Sequence, residues 1–181
     1  MSIINVVGAK IWGGGEQYVY DICKQLQQRH RTAYILVDQS NEDMQSRYAQ
    51  VGHVMTANLY TLKGFLSVNA VAKQMKEQGI NTIVCHSGKY ILFCIALKQL
   101  TGAKLVFIKH NLVPGKTDIY HRWINAQVDA FVCVSKLVYD DLMTPAIKDT
   151  SKYHVVYNGI DPNRFQSFSD AVPMKYKVRT F

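Results

Sequence analysis

The chain has 181 residues, 48% hydrophobic and 19% charged, with a formal net charge of +8. This is the balance of one folded domain with a full core; it excludes a disordered chain and leaves little room for a second domain of ordinary size. The positive balance favours an anionic partner such as a nucleotide or a phospholipid surface, but the bases are scattered with no run resembling a nucleic-acid arm, so no nucleic-acid partner is expected and a solvated surface accounts for the charge equally well.

The opening "MSIINVVGAK" has no basic region ahead of its apolar stretch, so it reads as a first strand and not as a signal peptide. The longest apolar run, Tyr90 to Leu97, is stopped by Lys98 far short of the roughly 20 residues a bilayer crossing needs. Cys23, Cys85, Cys94 and Cys133 fall inside apolar elements without a close pair of metal-ligand or redox spacing. Buried free thiols in a reducing compartment, and hence a cytoplasmic protein, are expected.

Along the chain, apolar runs rich in Val and Ile alternate with segments of helical period. That alternation predicts a Rossmann-like α/β domain, a parallel sheet of about seven strands with helices on both faces. Strands are predicted near Ser2–Val7, Ala33–Val37, Val51–Thr56, Ile80–Cys85, Lys104–Lys109, Ala130–Ser135 and Tyr153–Tyr157. Between the first two, Glu16 to Arg29 places Val19, Ile22, Cys23 and Leu26 on one helical face, with Glu16 early and Lys24 and Arg29 late as the helix dipole favours. A second stripe, Phe65, Val68, Ala72 and Met75, ends at Gly79, a C-cap position. Lys89 to Leu100 is apolar nearly all round and reads as a buried helix, followed by shorter helices over Asp118 to Ala126 and Lys136 to Met143. After Tyr157 the character changes: "NGIDPNRF" is rich in turn residues, "QSFSDAVP" reads as a linker and "MKYKVRTF" alternates like one more strand. The expected organisation is therefore one domain over residues 1–165, with 166–181 as a linker and the opening of a second domain.

If the strands are parallel, the conspicuous polar residues share the carboxyl edge of the sheet, where open α/β sheets bind ligands. Gly13 to Glu16 follow the first strand, Asp38 the second, His86 and Ser87 the fourth, His110 and Asn111 the fifth, Ser135 the sixth, and Asn158 with Gly159 the seventh.

The loop "WGGGEQ" fails two familiar phosphate-binding patterns. A Walker A loop needs Lys and Ser or Thr after its last glycine, where this chain has Glu16 and Gln17. A dinucleotide fingerprint needs a third glycine where Tyr18 stands, although Asp38 ends the second strand as a ribose-binding acid would, so an NAD(P)-dependent oxidoreductase is kept as an alternative. Glycines before a helix still leave its first N–H groups open to a ligand that can approach the backbone closely. A tight turn with no ligand explains them too, and a non-catalytic Rossmann-like binding module remains a third reading. No His-x-x-x-His or similar ligand cluster implies a metal site.

The ordered set of motifs resembles the N-terminal, acceptor-side domain of the family 4 glycosyltransferases of GT-B architecture. Gly13, Gly14, Gly15 and Glu16 match that family's glycine loop; "TIVCHS" and "KLVFIKHN" match its strands ending in His, at His86 and His110. "DAFVCVS" matches a strand ending in Ser135, and "YHVVYNGIDPNRF" its Asn-Gly-x-Asp-x-x-x-Phe signature at Asn158, Gly159, Asp161 and Phe165. The resemblance covers about Ile3 to Phe165. It implies a retaining enzyme of two Rossmann-like domains that moves a hexose-type sugar from a UDP- or GDP-sugar donor to a polysaccharide or glycolipid acceptor, with no bound metal. It also implies that the glycine loop lies by the donor diphosphate, that His110 faces the reacting sugar carbon, and that His86, Ser87 and Asn111 lie on the acceptor side. His86 could equally be structural, and Ser135 is first of all an N-cap for the next helix. Asn158, Gly159 and Asp161 would form an interdomain turn. The family's basic residues and paired glutamates for the donor belong to the C-terminal domain, which is missing from this sequence; the chain alone is therefore expected to be inactive, a shortened chain or a fragment of a longer enzyme. Relatives that use lipid-linked acceptors make peripheral contact with the inner face of the membrane a further expectation.

Overall fold

The computed structural model describes residues 2–59, 64–143, 147 and 150–159. Seven strands form one sheet: β1 (Ile3–Val7), β2 (Tyr34–Asp38), β3 (His53–Ala57), β4 (Thr82–Cys85), β5 (Lys104–Lys109), β6 (Ala130–Cys133) and β7 (Tyr153–Val155). Their order is β3-β2-β1-β4-β5-β6-β7 and every neighbouring pair is parallel. The helices are α1 (Gly14–Gln28), α2 (Glu42–Tyr48), α3 (Gly64–Glu77), α4 (Ile91–Thr101), α5 (Ile119–Gln127) and α6 (Lys136–Leu142), with a single 3-10 turn over Gly88–Tyr90 leading into α4. This is the Rossmann-like α/β fold that the alternation predicts. Asp161 and Phe165 of the Asn-Gly signature, the linker and the alternating segment 174–181 lie outside the described residues.

Period-two alternation sets the two faces. Ile4 and Val6 of β1 and Leu36 of β2 join one buried cluster with Val68, Val71 and Met75 of α3 and Phe93, Cys94 and Leu97 of α4. Val7 of β1 and Ile35 and Val37 of β2 join the other, with Val19 and Cys23 of α1 and Met44 and Tyr48 of α2. All four cysteines are free and buried. Lys98 and Asp129 tie α4 to the start of β6 at 2.7 Å, and Asp129 also accepts from Leu105 N–H at 2.8 Å. Among the described residues, no helix is long and apolar enough to cross a membrane.

One helix is absent from the sequence reading. In α2, Asn41 caps the first turn by accepting from Met44 N–H at 3.2 Å, Glu42 and Asp43 suit its positive end, and Met44 and Tyr48 are fully buried. With only two apolar positions in seven residues it has no stripe for periodicity to detect. The predicted β6 and β7 each run two residues too long, since Ser135 and Tyr157 lie past the ladders.

The strand order fixes where a site can be. The chain leaves β1 in one direction across the sheet and returns to β4 on its other side, opening a crevice at the carboxyl ends of β1 and β4. The glycine loop leaves β1 at that crevice, His86 leaves β4, and His110 leaves β5 next to it.

Candidate functional site

Gly13 is the N-cap of α1, in extended conformation with φ −143° and ψ −169°, which any residue adopts. The glycines with left-handed backbone among the described residues are Gly79 and Gly102, so nothing in the backbone of the WGGG loop demands glycine. Packing within the chain makes little demand either. A Cβ on Gly14 would meet nothing within 4 Å; on Gly13 it would lie 3.2 Å from the flexible Glu16 carboxylate, and on Gly15 3.9 Å from the His110 ring. The tight-turn explanation therefore fails.

The same loop leaves helix donors open. Ser, Thr, Asn or Asp at an N-cap would accept from the first turn, and Gly13 has no side chain to do so. Glu16 reaches back to Gly13 N–H at 3.1 Å, and Gln17 N–H closes the first helical bond to Gly13 O at 2.9 Å. The N–H groups of Gly14 and Gly15 remain as first-turn donors at the positive end of a fifteen-residue helix.

The surroundings hold this loop in place. Trp12 donates its indole N–H to Gln17 at 3.1 Å, packs on Tyr20 and Tyr48, and carries the Arg47 guanidinium 4.9 Å above its ring. Tyr48 O–H donates to Glu16 O at 3.0 Å, and the Asn41 amide donates to Ala9 O at 3.0 Å. The unforeseen helix α2 is thus the brace of the glycine loop.

Facing the loop is a chain of three polar side chains. His110 Nε2 and His86 Nδ1 are 3.0 Å apart, and His86 Nε2 lies 3.1 Å from Asn5 Oδ1 on β1. Asn5 is 4% exposed and directs its amide nitrogen at Cys23 Sγ, 3.9 Å away. The two imidazoles stack with centroids 5.3 Å apart, and Tyr18 sets its ring edge-on to both, 5.1 Å from His110 and 6.2 Å from His86. Tyr18, where a dinucleotide fingerprint has its third glycine, is therefore a wall of this site. Desolvation and then the neighbouring His110 hold His86 down to a pKa of about 3, and burial lowers His110 as well. Burial raises Tyr18 and pushes the Cys23 thiol up to about 12.

Beyond His110 a cavity of about 370 Å³ opens between the end of β5, the 3-10 turn and α5. His86, Ser87, His110 and Asn111 all line it, over an apolar floor that includes Phe107 and Phe131. Ser87 uses its hydroxyl to cap the 3-10 turn, accepting from Lys89 N–H at 3.3 Å, and both ring nitrogens of His86 are engaged by protein; of the acceptor-side set, Asn111 is the exposed one. Lys109, absent from the sequence-derived set, lines the same cavity and donates to Val113 O, which folds the loop after β5 back on itself; burial lowers its pKa against the opposing pull of Asp141.

Other predicted residues fall elsewhere. Ser135 caps α6, accepting from Val138 N–H at 3.2 Å. Asn158 and Gly159 are exposed past β7. Asp38 is 5% exposed, and its carboxylate accepts from Ser40 N–H at 3.0 Å and Leu59 N–H at 2.9 Å, fastening the loops after β2 and β3. A ribose-binding acid must keep its oxygens free, so this geometry removes the residue that kept the NAD(P) alternative open. Among the described residues, no group of three or more His, Cys, Asp or Glu side chains is placed to hold a metal ion.

The family model for Glycosyltransferase Family 4 matches residues 12–164, from the glycine loop to within one residue of the end of the Asn-Gly signature. The chain belongs to glycosyltransferase family 4. No curated protein matches it in sequence. Among solved structures, a glycosyltransferase from Rickettsia africae ESF-5 superposes with a TM-score of 0.79 at 18% identity, covering 95% of this chain and 46% of the other. Anabaena Alr3699/HepE, solved with UDP and glucose, gives 0.69 at 18% identity, covering 91% and 46%. A UDP-GlcNAc 2-epimerase from Neisseria meningitidis, solved with UDP-GlcNAc, gives 0.60 at 10% identity, covering 87% and 47%. The chain thus spans about half the length of the structures it resembles, and the fold it shares with them is carried by transferases and epimerases alike. Family membership, and not the fold, separates these two chemistries here.

Proposed function

We propose that this family 4 domain is the acceptor-side half of a retaining, nucleotide-sugar-dependent glycosyltransferase, working with a second, donor-binding domain. The observation that carries the reading is the open first turn of α1, with no described residue filling the space a Gly14 side chain would take, set against the His110 ring. An anion approaching that turn meets the N–H groups of Gly14 and Gly15 and the positive helix end. A nucleoside diphosphate leaving group is such an anion, and stabilising its developing charge accelerates departure of the sugar. A UDP- or GDP-hexose is the donor class; the UDP and glucose of the Anabaena neighbour support the uridine member.

His110 then lies beside the transferring sugar, where a neutral imidazole orients hydroxyls at the reacting carbon. The acceptor, a polysaccharide end or a glycolipid, enters the cavity past Asn111 and Lys109, with Phe107 and Phe131 beneath it. The net charge of +8 suits work at the anionic, cytoplasmic face of a membrane. Asn158 and Gly159 lie past the last strand, where a connection to a donor domain would begin.

The test is nucleoside diphosphate release from UDP- and GDP-hexoses by the protein its complete reading frame encodes. His110→Ala is expected to cut turnover by about two to three orders of magnitude, the scale on which a single stabilising group acts in an active site. A variant that turns over as fast as the parent sinks the assignment.

A further inference from the structure

His86 offers no free nitrogen to a ligand, yet it sits between the residue assigned to the sugar and an asparagine inside the sheet. Two neutral imidazoles 3.0 Å apart must share one proton between the facing nitrogens, so the bond has a direction, and something must set it. Asn5 sets it. Its Oδ1, 3.1 Å from His86 Nε2, can only accept, so His86 carries its proton on Nε2 and presents the Nδ1 lone pair to His110. His110 Nε2 must then be the protonated nitrogen. The amide of Asn5 is held the matching way round by Cys23, whose sulfur takes its N–H at 3.9 Å.

We infer that Asn5 and His86 are positioning residues that fix His110 as its Nε2–H tautomer, leaving the Nδ1 lone pair as the face it turns to a substrate hydroxyl. Among the described residues, Nδ1 of His110 has no hydrogen-bond partner, while Tyr18 and Gly15 flank its ring. Among the described residues, the groups around the pair are Asn5 on β1, Tyr18 and Cys23 on α1, and each histidine for the other; none of these is a carboxylate that would draw His86 into its charged form. Both imidazoles are held below their ordinary pKa by burial, which keeps the lone pair of His110 available near neutral pH. The consequence for sugar transfer rests on the function proposed above; the tautomer itself does not.

Long-range proton–nitrogen correlation of the imidazoles in the nitrogen-15-labelled chain at pH 7, with no nucleotide or acceptor present, reads the tautomers directly. The expected result is a protonated Nε2 and a bare Nδ1 at both His86 and His110. His86→Phe keeps the ring volume and removes the acceptor, so His110 should relax to a mixture of tautomers; His86→Gln, whose amide oxygen can accept from Nε2–H, should restore the single form. A wild-type His110 protonated on Nδ1 would overturn the inference, because it means that Asn5 is reversed and donates. So would a His110 signature unchanged in His86→Phe. If His86→Phe fails to fold, the wild-type spectrum decides by itself. Loss of the transferase assignment would leave these spectra as they are, and the reverse also holds.

Discussion

Gly15 and His110 face one another across the crevice, and a methyl group placed on Gly15 would lie 3.9 Å from the imidazole ring. That is ordinary van der Waals distance, so the chain by itself accepts a small side chain there. The neighbouring Gly14 has still more room. Replacing either by Ala should leave the fold intact and, by removing the entropic cost of glycine near a helix start, raise stability by up to about 1 kcal/mol. The same methyl occupies the approach to the first-turn N–H groups. In the protein of the complete reading frame, thermal melting and UDP-sugar titration of Gly14→Ala should therefore part company: equal or higher melting temperature, weaker binding. Loss of both together would mean that the glycines serve the fold.

The pH dependence of stability carries a signature of His86. Its folded pKa of about 3 lies below the ordinary 6.5, so between those values the unfolded chain binds a proton that the folded chain refuses. Its contribution is whole above about pH 6.5 and declines as the pH falls towards 3. Between pH 6.5 and about 4.5, above the range where ordinary carboxylates titrate, chemical denaturation of the native chain should show stability dropping with pH. In His86→Phe that slope should flatten, with His110 contributing what remains.

Gly52 makes the opposite demand to the loop glycines. A Cβ there would stand 2.5 Å from Ile35 Cδ1 and 2.7 Å from the Ala33 carbonyl oxygen, the latter being backbone that cannot swing aside. Gly52→Ala should destabilise by about 1–3 kcal/mol, the usual cost of forcing atoms into a packed site. A midpoint of denaturant unfolding unchanged from the parent would contradict the close approach of the β3 entry to β2.

Much of this architecture was legible because its signals are local. Val- and Ile-rich runs bounded by polar exits located the strands, and parallel alternation then placed the glycine loop, His86 and His110 on one edge without knowledge of their contacts. The sequence also pointed to Ser135 as a cap, because a serine before an apolar periodic segment states its role in place. What escaped depends on long-range pairing. Asn5 is one polar residue within "IINVV" and declares nothing until β4 brings His86 alongside it, 81 positions away. Tyr18 registers in the sequence only as a glycine that is missing, and in the fold as an aromatic wall. Asp38 resembled a ribose acid by position alone; the loops that consume its oxygens come from residues 40 and 59. The short α2, which braces the glycine loop through Tyr48 and Asn41, carried its evidence in capping residues and not in periodicity.

The central claim is that the glycine turn and His110 form one pocket wall for a nucleotide sugar. It is tested most directly by titrating the nitrogen-15-labelled protein that the complete reading frame encodes with UDP-glucose and following the backbone amides of Gly14 and Gly15 together with the His110 ring. These signals should move in concert along one binding curve, and Gly14→Ala should suppress all of them. Movement of the glycine amides with His110 unaffected, or a response centred on residues outside this crevice, would contradict it.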